Sequence, residues 1–431
     1  MINPRKPAGF HEFLPPEQLS FDAMVAVIKA SYESHGYTPI ETPALELAEV
    51  LHAKEGGETA KQGYQFTKGD TKLALRFDLT VPLARYVAEH YHDLALPFRR
   101  YQIQNVWRAE KPQAGRYRQF YQCDIDIIGT DSATADADIL ITMNGTMQAL
   151  GLEKSLIRLN NRLLMSGLII ALKAEKNNTE ILRLLDKMDS QGPAKLKKSL
   201  INIGLNKKQA DTLVKLAGLK GSIEQITKAL KSEDLYNTNI DEGLGRLRRI
   251  CELLKAAGLS SKNYQIDLGI VRGLDYYTGM VYEIILTDKK EIGSVGGGGR
   301  YDNLIGYYKK DNVPGVGGSI GLSRLFAALS EESKDGQGCP ADVMVTALSS
   351  DLLPYAFKVA ATLRVTGINV FIYPKDGKIA KQLSYADKLG IPLVAVCGEE
   401  EEKKTKVTIK NLETGEQETV SLKQAAKFCK S

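Results

Sequence analysis

At 431 residues, 43% hydrophobic and 25% charged, the chain has the composition of an ordinary globular protein of two or three domains. No run of about 18 apolar residues occurs and Met1–Pro7 lacks a secretory core, so neither a membrane partner nor export is expected, and a cytoplasmic protein is. The net charge of +5 is mild but uneven: residues 171–255 hold 17 Lys and Arg against 11 Asp and Glu, which suits a polyanionic partner as well as it suits a solvated helical face.

In chain order, Pro15-Pro16 opens an amphipathic helix over 17–35, with Phe21, Met24, Val25 and Ile28 on one side. The proline-bearing Tyr37–Leu45 reads as an edge or interface strand. Residues 72–78, 98–108 and 118–128 read as strands joined by loops too short for crossover helices, hence antiparallel. From about 165 to 255 the period turns helical, and strands resume at 266–271 and 279–287, read as a pair. The glycine run 296–299 is expected to be too permissive for regular structure, and a last helix begins near Ile320. Residues 331–340 have linker composition. Beyond them strands at Val343–Leu348, Asn369–Tyr373 and Pro392–Cys397 alternate with helices at 352–366 and 378–389, the rhythm of a parallel sheet, followed by a hairpin over Lys406–Val420. The fold class is therefore α+β: a domain over 1–330 built on an antiparallel sheet with flanking helices, interrupted by a helical insertion at about 165–255. A C-terminal α/β domain with a small mixed, mostly parallel sheet fills 341–431.

Four segments carry candidate chemistry. In Arg108–Phe120, arginines stand on both sides of a turn containing Pro112 and Gly115, and guanidinium groups grip phosphate oxygens bidentately. Strand alternation then puts Phe120, Gln122, Asp124 and Asp126 on one face, able to stack a base and hold an ammonium or imidazole; a surface hairpin with ordinary salt bridges fits the spacing equally. Val271–Gly279 brings Arg272, Tyr276 and Tyr277 among glycines, a pattern that a core-packed turn also gives. Ser294–Asp302 holds the glycine run, which alone is a flexible turn. Gly317–Leu325 leads into a helix start with Arg324 one turn in, where it reaches an anion or merely solvent. The five histidines form no HExxH pattern, the five cysteines no CxxC pair, and no P-loop is present, so no protein-bound metal is expected.

In this order the segments resemble the histidyl-tRNA synthetase family over nearly the whole chain. Thr38–Leu45 is similar to the dimer-forming first motif of class II aminoacyl-tRNA synthetases, Arg108–Asp126 to the second and Gly317–Leu325 to the third. Val271–Gly279 and Ser294–Asp302 resemble the two histidine signature peptides, and Arg76–Thr80 the segment that receives the amino acid's ammonium. Asp at 78 and 126, where some bacterial members carry Glu, resembles the archaeal and eukaryotic style.

The resemblance implies a histidine–tRNA ligase: L-histidine and ATP give histidyl-adenylate and pyrophosphate, and histidine passes to the terminal ribose of tRNA(His). It implies catalytic roles for Arg272, Arg108 and Gln122. Histidine would be held by Asp78, Leu79, Thr80, Arg108, Gln122, Asp126, Arg272, Tyr276 and Tyr277, and ATP by Arg108, Glu110, Arg116, Phe120 and Arg324, with Mg2+ accompanying the nucleotide. It further implies a homodimer, an anticodon-reading C-terminal domain and an insertion that clamps the acceptor arm. A non-catalytic, histidine-sensing paralogue is the alternative; such relatives lack the anticodon-binding domain and the arginine at position 272, both present here.

Overall fold

A computed structural model describes residues 1–52, 63–111, 115–272, 276–330 and 338–429. Pro112–Ala114, Gly273–Asp275 and most of the expected linker lie outside them. The chain divides into two compact units, Met1–His11 with Val25–Leu329 and Glu12–Met24 with Ser330–Ser431. Among the described residues no helix is long and apolar enough to cross a membrane.

The first unit is organised by a nine-stranded sheet. Its strands are β1 (Thr38–Pro39), β5 (Phe98–Trp107), β6 (Gln119–Ile128), β7 (Ser155–Asn161), β8 (Lys220–Gly221), β9 (Tyr264–Asp267), β10 (Met280–Leu286), β11 (Ser294–Tyr301) and β12 (Gly315–Gly321), in the order β1-β5-β6-β12-β11-β10-β7-β9-β8. Neighbours are antiparallel except at β1–β5 and β7–β9. The segment read as a strand at 72–78 belongs elsewhere: β4 (Thr71–Leu75) lies between β2 (Leu45–Leu47) and β3 (Gln65–Lys68) in a separate sheet. The chain then enters a ten-residue helix, Thr80–Glu89, rather than a short loop. Nor do β9 and β10 pair with each other, because β7 lies between them and bonds to both.

The glycine run is the largest departure from the sequence reading, for it is the strand β11 in mid-sheet. A Cβ on Gly298 would strike the Gly317 carbonyl and Gly318 Cα on β12, and one on Gly299 the Tyr277 ring. One on Gly317 would strike the Asp126 carboxylate, and one on Gly318 the Tyr282 hydroxyl. Glycine here gives up side-chain packing so that other side chains can occupy the face of the sheet.

The helical insertion opens with Arg162–Ala171 and closes with Thr238–Ala256. These two helices meet backbone to backbone: a Cβ on Gly167 would lie 2.8 Å from Ile240 N, and one on Gly243 2.7 Å from Leu164 N. Capping boxes at Asn206/Gln209 and Ser222/Gln225 fix the starts of two helices within it, and β8 ties it to the sheet edge.

The second unit's sheet runs β14-β13-β15-β16-β17: β13 (Val343–Ala347), β14 (Val370–Ile372), β15 (Leu393–Cys397), β16 (Lys406–Asn411) and β17 (Gln417–Ser421). The βαβ part is parallel, and the hairpin β16–β17 adds two antiparallel pairings. The acidic run at 399–402 forms the start of a short helix, Glu399–Lys404.

Candidate active site

A cavity of about 1000 Å³ opens on the face of the main sheet. Alternation along β6 brings Phe120, Gln122, Asp124 and Asp126 to it together, and the glycines of β11 and β12 leave it room. Asp78, Thr80, Arg108, Glu110, Arg116, Arg272, Tyr276, Tyr277 and Arg324 also line it. Leu79 does not: its side chain is fully buried, it precedes the first residue of the helix Thr80–Glu89, and its carbonyl accepts from Arg100 Nη2 at 3.3 Å.

One part of the cavity is cationic. Arg108 donates from Nε to the Phe77 carbonyl at 3.0 Å and lies over the Phe120 ring at 5.1 Å, which fixes its direction. Arg324 donates from Nη1 to the Ser294 carbonyl at 3.1 Å. Burial lowers its pKa and the neighbouring charge of Arg116 lowers it further, so the pair repel until an anion separates them. Arg272 has φ +54°, a left-handed conformation that a non-glycine residue holds only at a cost. Its Nη1 lies 3.5 Å from the Tyr282 carbonyl and 3.7 Å from Glu283 Oε1, with its guanidinium 6.0 Å from the centre of the Tyr277 ring. The glycine at 297 is required for this, since a Cβ there would occupy the place of the Arg272 guanidinium.

Another part is acidic. Asp78, Asp124 and Asp126 are at most 4% exposed. Arg76 anchors the first of them: it donates to the Asn105 carbonyl at 2.9 Å and the Thr42 carbonyl at 2.6 Å, tying the Arg76–Thr80 segment to the sheet. Asp78 Oδ1 accepts from Val81 N at 3.0 Å at the helix start, and burial raises its pKa against that bond and the pull of Arg108. Asp126 is paired with buried Arg100 at 2.6 Å and accepts from the Tyr301 hydroxyl. Burial pushes it to about 6, with Arg100 pulling the other way. Asp124 is pushed to about 7 by burial, opposed by Arg100 and reinforced by Asp126. Gln122 donates from Nε2 to Ser319 Oγ at 2.9 Å. The Tyr276 hydroxyl is hydrogen-bonded to Thr80 and Tyr277, and the two tyrosine rings lie 4.7 Å apart. Leu83, Val87 and Ile128 pack around Tyr277 and Tyr301 and hold both in place.

Strand alternation alone marks Asp124, as one of two carboxylates able to hold an ammonium or imidazole, whereas two other lining residues carry no role in the sequence analysis. Tyr301 sits inside the second signature peptide, but its bond to Asp126 joins positions 175 residues apart and no local pattern carries it. Glu283 faces Arg272 and Arg158 from β10, at 3.7 and 3.9 Å, through a strand pairing the sequence does not reveal. Among the described residues no group of three His, Cys, Asp or Glu side chains is arranged to hold a metal.

Residues 9–325 match the family described as histidyl-tRNA synthetase, and residues 342–431 that described as anticodon binding domain. The histidine–tRNA ligase of Clostridium tetani is 44% identical, the alignment covering 100% of this chain and 99% of that one. The crystal structure of histidyl-tRNA synthetase from Nostoc sp. superposes with a TM-score of 0.90 at 35% identity, covering 100% and 99% of the two chains. A Bacillus halodurans structure titled an ATP phosphoribosyltransferase regulatory subunit/histidyl-tRNA synthetase shares the fold, with a TM-score of 0.75 at 22% identity over 88% of this chain and 96% of that one. These relatives are bacterial and give no support to an archaeal or eukaryotic style.

Proposed function

Because the chain belongs to the histidyl-tRNA synthetase family and is an aminoacyl-tRNA ligase joining histidine to tRNA, we propose that the cavity on the main sheet is where histidine is activated with ATP. The observation that carries this is the division of one cavity into an arginine-lined part and a part with buried acceptors. An amino acid presents an ammonium, and ATP presents phosphates. Histidine's ammonium goes to Asp78, Thr80 and Gln122, and its imidazole to Asp126, Tyr276 and Tyr277. Its carboxylate goes to Arg108, which also faces the α-phosphate. Phe120 stacks on adenine, while Glu110, Arg116 and Arg324 take the rest of the nucleotide.

In the first step a carboxylate oxygen of histidine attacks the α-phosphorus, the bond to the β-phosphate oxygen breaks, and pyrophosphate leaves with the electron pair. Negative charge crowds the phosphorus in the transition state. Arg108 and Arg272, from opposite sides, stabilise it without reorganising, because both guanidinium groups are already anchored. In the second step a terminal ribose hydroxyl of tRNA attacks the activated carbonyl and AMP leaves. Magnesium enters with the nucleotide as part of that substrate.

The unit containing 342–431 would read the anticodon of tRNA(His). The insertion over about 165–255 would hold the acceptor arm, supported by its excess of positive charge and by exposed Lys195, Lys198, Lys207 and Lys208. A homodimer in the cytoplasm completes the proposal.

The test is histidine-dependent exchange of pyrophosphate into ATP by the native protein and by Arg272→Ala. Exchange with histidine alone among amino acids, largely lost in the variant, supports the reading. Folded native protein without exchange would sink it.

A further inference from the structure

An ammonium group brings three N–H donors, so a site built for one offers three acceptors. Among the described residues, three buried side-chain oxygens lining the cavity have no donor: Asp78 Oδ2, Gln122 Oε1 and Asp124 Oδ1. A buried acceptor left without a donor is costly, and three together mark a place kept for a ligand with donors. Asp126, by contrast, already has both oxygens engaged, one by Arg100 and one by Tyr301.

The strand register explains how the orphans are aimed. Ser319 on β12 stands opposite Asp124 on β6. Its hydroxyl is hydrogen-bonded to Asp124 and also to Gln122 Nε2 at 2.9 Å. A hydroxyl has one proton. Given to Asp124, it leaves Ser319 only able to accept from Gln122, so the amide nitrogen of Gln122 must face Ser319 and its oxygen must face the cavity. The charge balance agrees: Arg100, which bears on Asp78, Asp124 and Asp126 alike, is committed to Asp126, and Arg108, which pulls on Asp78, is held by the Phe77 carbonyl. A bound cation supplies what is missing.

We propose that Asp124 is a direct ammonium-binding residue, its unpartnered carboxylate oxygen joining Asp78, Thr80 and Gln122 around the α-ammonium of the substrate, and that Ser319 is the positioning residue that orients Gln122. This rests on the reading that the cavity activates histidine.

The test uses the full-length protein in pyrophosphate exchange with saturating ATP. Asp124→Asn keeps the shape and removes the charge, and is expected to raise the KM for histidine roughly 10- to 100-fold, the size of a lost charge-assisted hydrogen bond, with the KM for ATP within about twofold. Two inhibitors locate the effect. Histamine keeps the ammonium and ring but lacks the carboxylate, and its inhibition weakens in the variant by the same factor as histidine binding. Imidazole-4-propionate keeps ring and carboxylate but lacks the ammonium, and its inhibition constant stays unchanged. Equal weakening of both inhibitors would assign Asp124 to the ring and overturn the proposal, as would an unchanged KM for histidine. Should Asp124→Asn not fold, Ser319→Ala raises the histidine KM several-fold with kcat kept, and Ser319→Thr, which retains the hydroxyl, restores it; a fall in kcat with KM unmoved counts against the relay. Absence of histidine-dependent exchange in the native protein would overturn the underlying reading itself, before any variant is compared.

Discussion

The strands β13 and β11 are each central in their sheets, yet they are made in opposite ways. In β13, Val343 and Val345 pack into one apolar cluster while Met344 packs into another on the far face, so the strand holds its sheet together with its own side chains. In β11, four successive glycines contribute backbone hydrogen bonds and no side chains, and what occupies their face comes from Arg272 and Tyr277. A sheet in the second case makes room for a cavity by giving up part of its own core, and must be stabilised from its other strands and helices.

The contrast breaks most visibly at Arg272 and Leu363. Arg272→Ala is expected to lower kcat for exchange about 10³-fold, the loss of a preorganised charge at the transition state, while the melting temperature stays within a degree or two, since alanine keeps the Cβ and with it the left-handed strain. Leu363→Ala, in the fully buried cluster beneath β13, does the reverse: about 3 kcal/mol of stability is lost in the second unit, with exchange by the folded protein unchanged. Denaturation monitored alongside exchange separates the two. If Leu363→Ala impaired exchange as Arg272→Ala does, the division of labour between the sheets would be false.

Gly298→Ala tests the glycine strand directly. The added methyl would meet the Gly317 carbonyl and Gly318 Cα, backbone atoms that cannot swing aside, so β11 and β12 must part. The expected cost is roughly 2 kcal/mol of stability, together with a raised histidine KM because Ser319 and Gln122 ride on the displaced register. Unchanged stability in a Gly298→Ala variant would mean that the strands pack less closely than this.

The same contrast decides what could be read in the sequence. The strands of the second unit were legible because their apolar residues announce themselves, and the face carrying Phe120, Gln122, Asp124 and Asp126 was legible because alternation is local. The glycine run read as irregular because strand signals are side-chain signals and it has none. Pairings such as β10 with β7, and contacts such as Tyr301 with Asp126, join residues more than a hundred positions apart and depend on sheet order, which no local pattern encodes. Leu79 shows the converse limit: membership of the right segment does not tell which of its side chains faces the cavity.

The smallest expected effect is a pH dependence that belongs to the acidic side of the cavity and to nothing in the second sheet. Asp124 and Asp126 sit in the folded, ligand-free protein at about 7 and about 6, raised by burial from an ordinary aspartate value of 3.8. The folded state therefore binds protons that the unfolded state has released between pH 4 and 7. Stability from this source is fully present below about pH 4 and is lost as pH rises through 6 and 7, by at most about 1.4 kcal/mol per pH unit for each proton. Arg100 and Asp78 bear on both groups, Tyr301 on Asp126, and Asp126 on Asp124, so they titrate as a coupled set. A bound ammonium favours the ionised forms, so histidine should flatten the slope and release protons on binding near pH 6. Melting temperatures from pH 5 to 8 with and without histidine measure the first effect. Calorimetric titration in buffers of different ionisation enthalpy measures the second, and identical apparent enthalpies across those buffers would show that the carboxylates are already ionised before the ligand arrives.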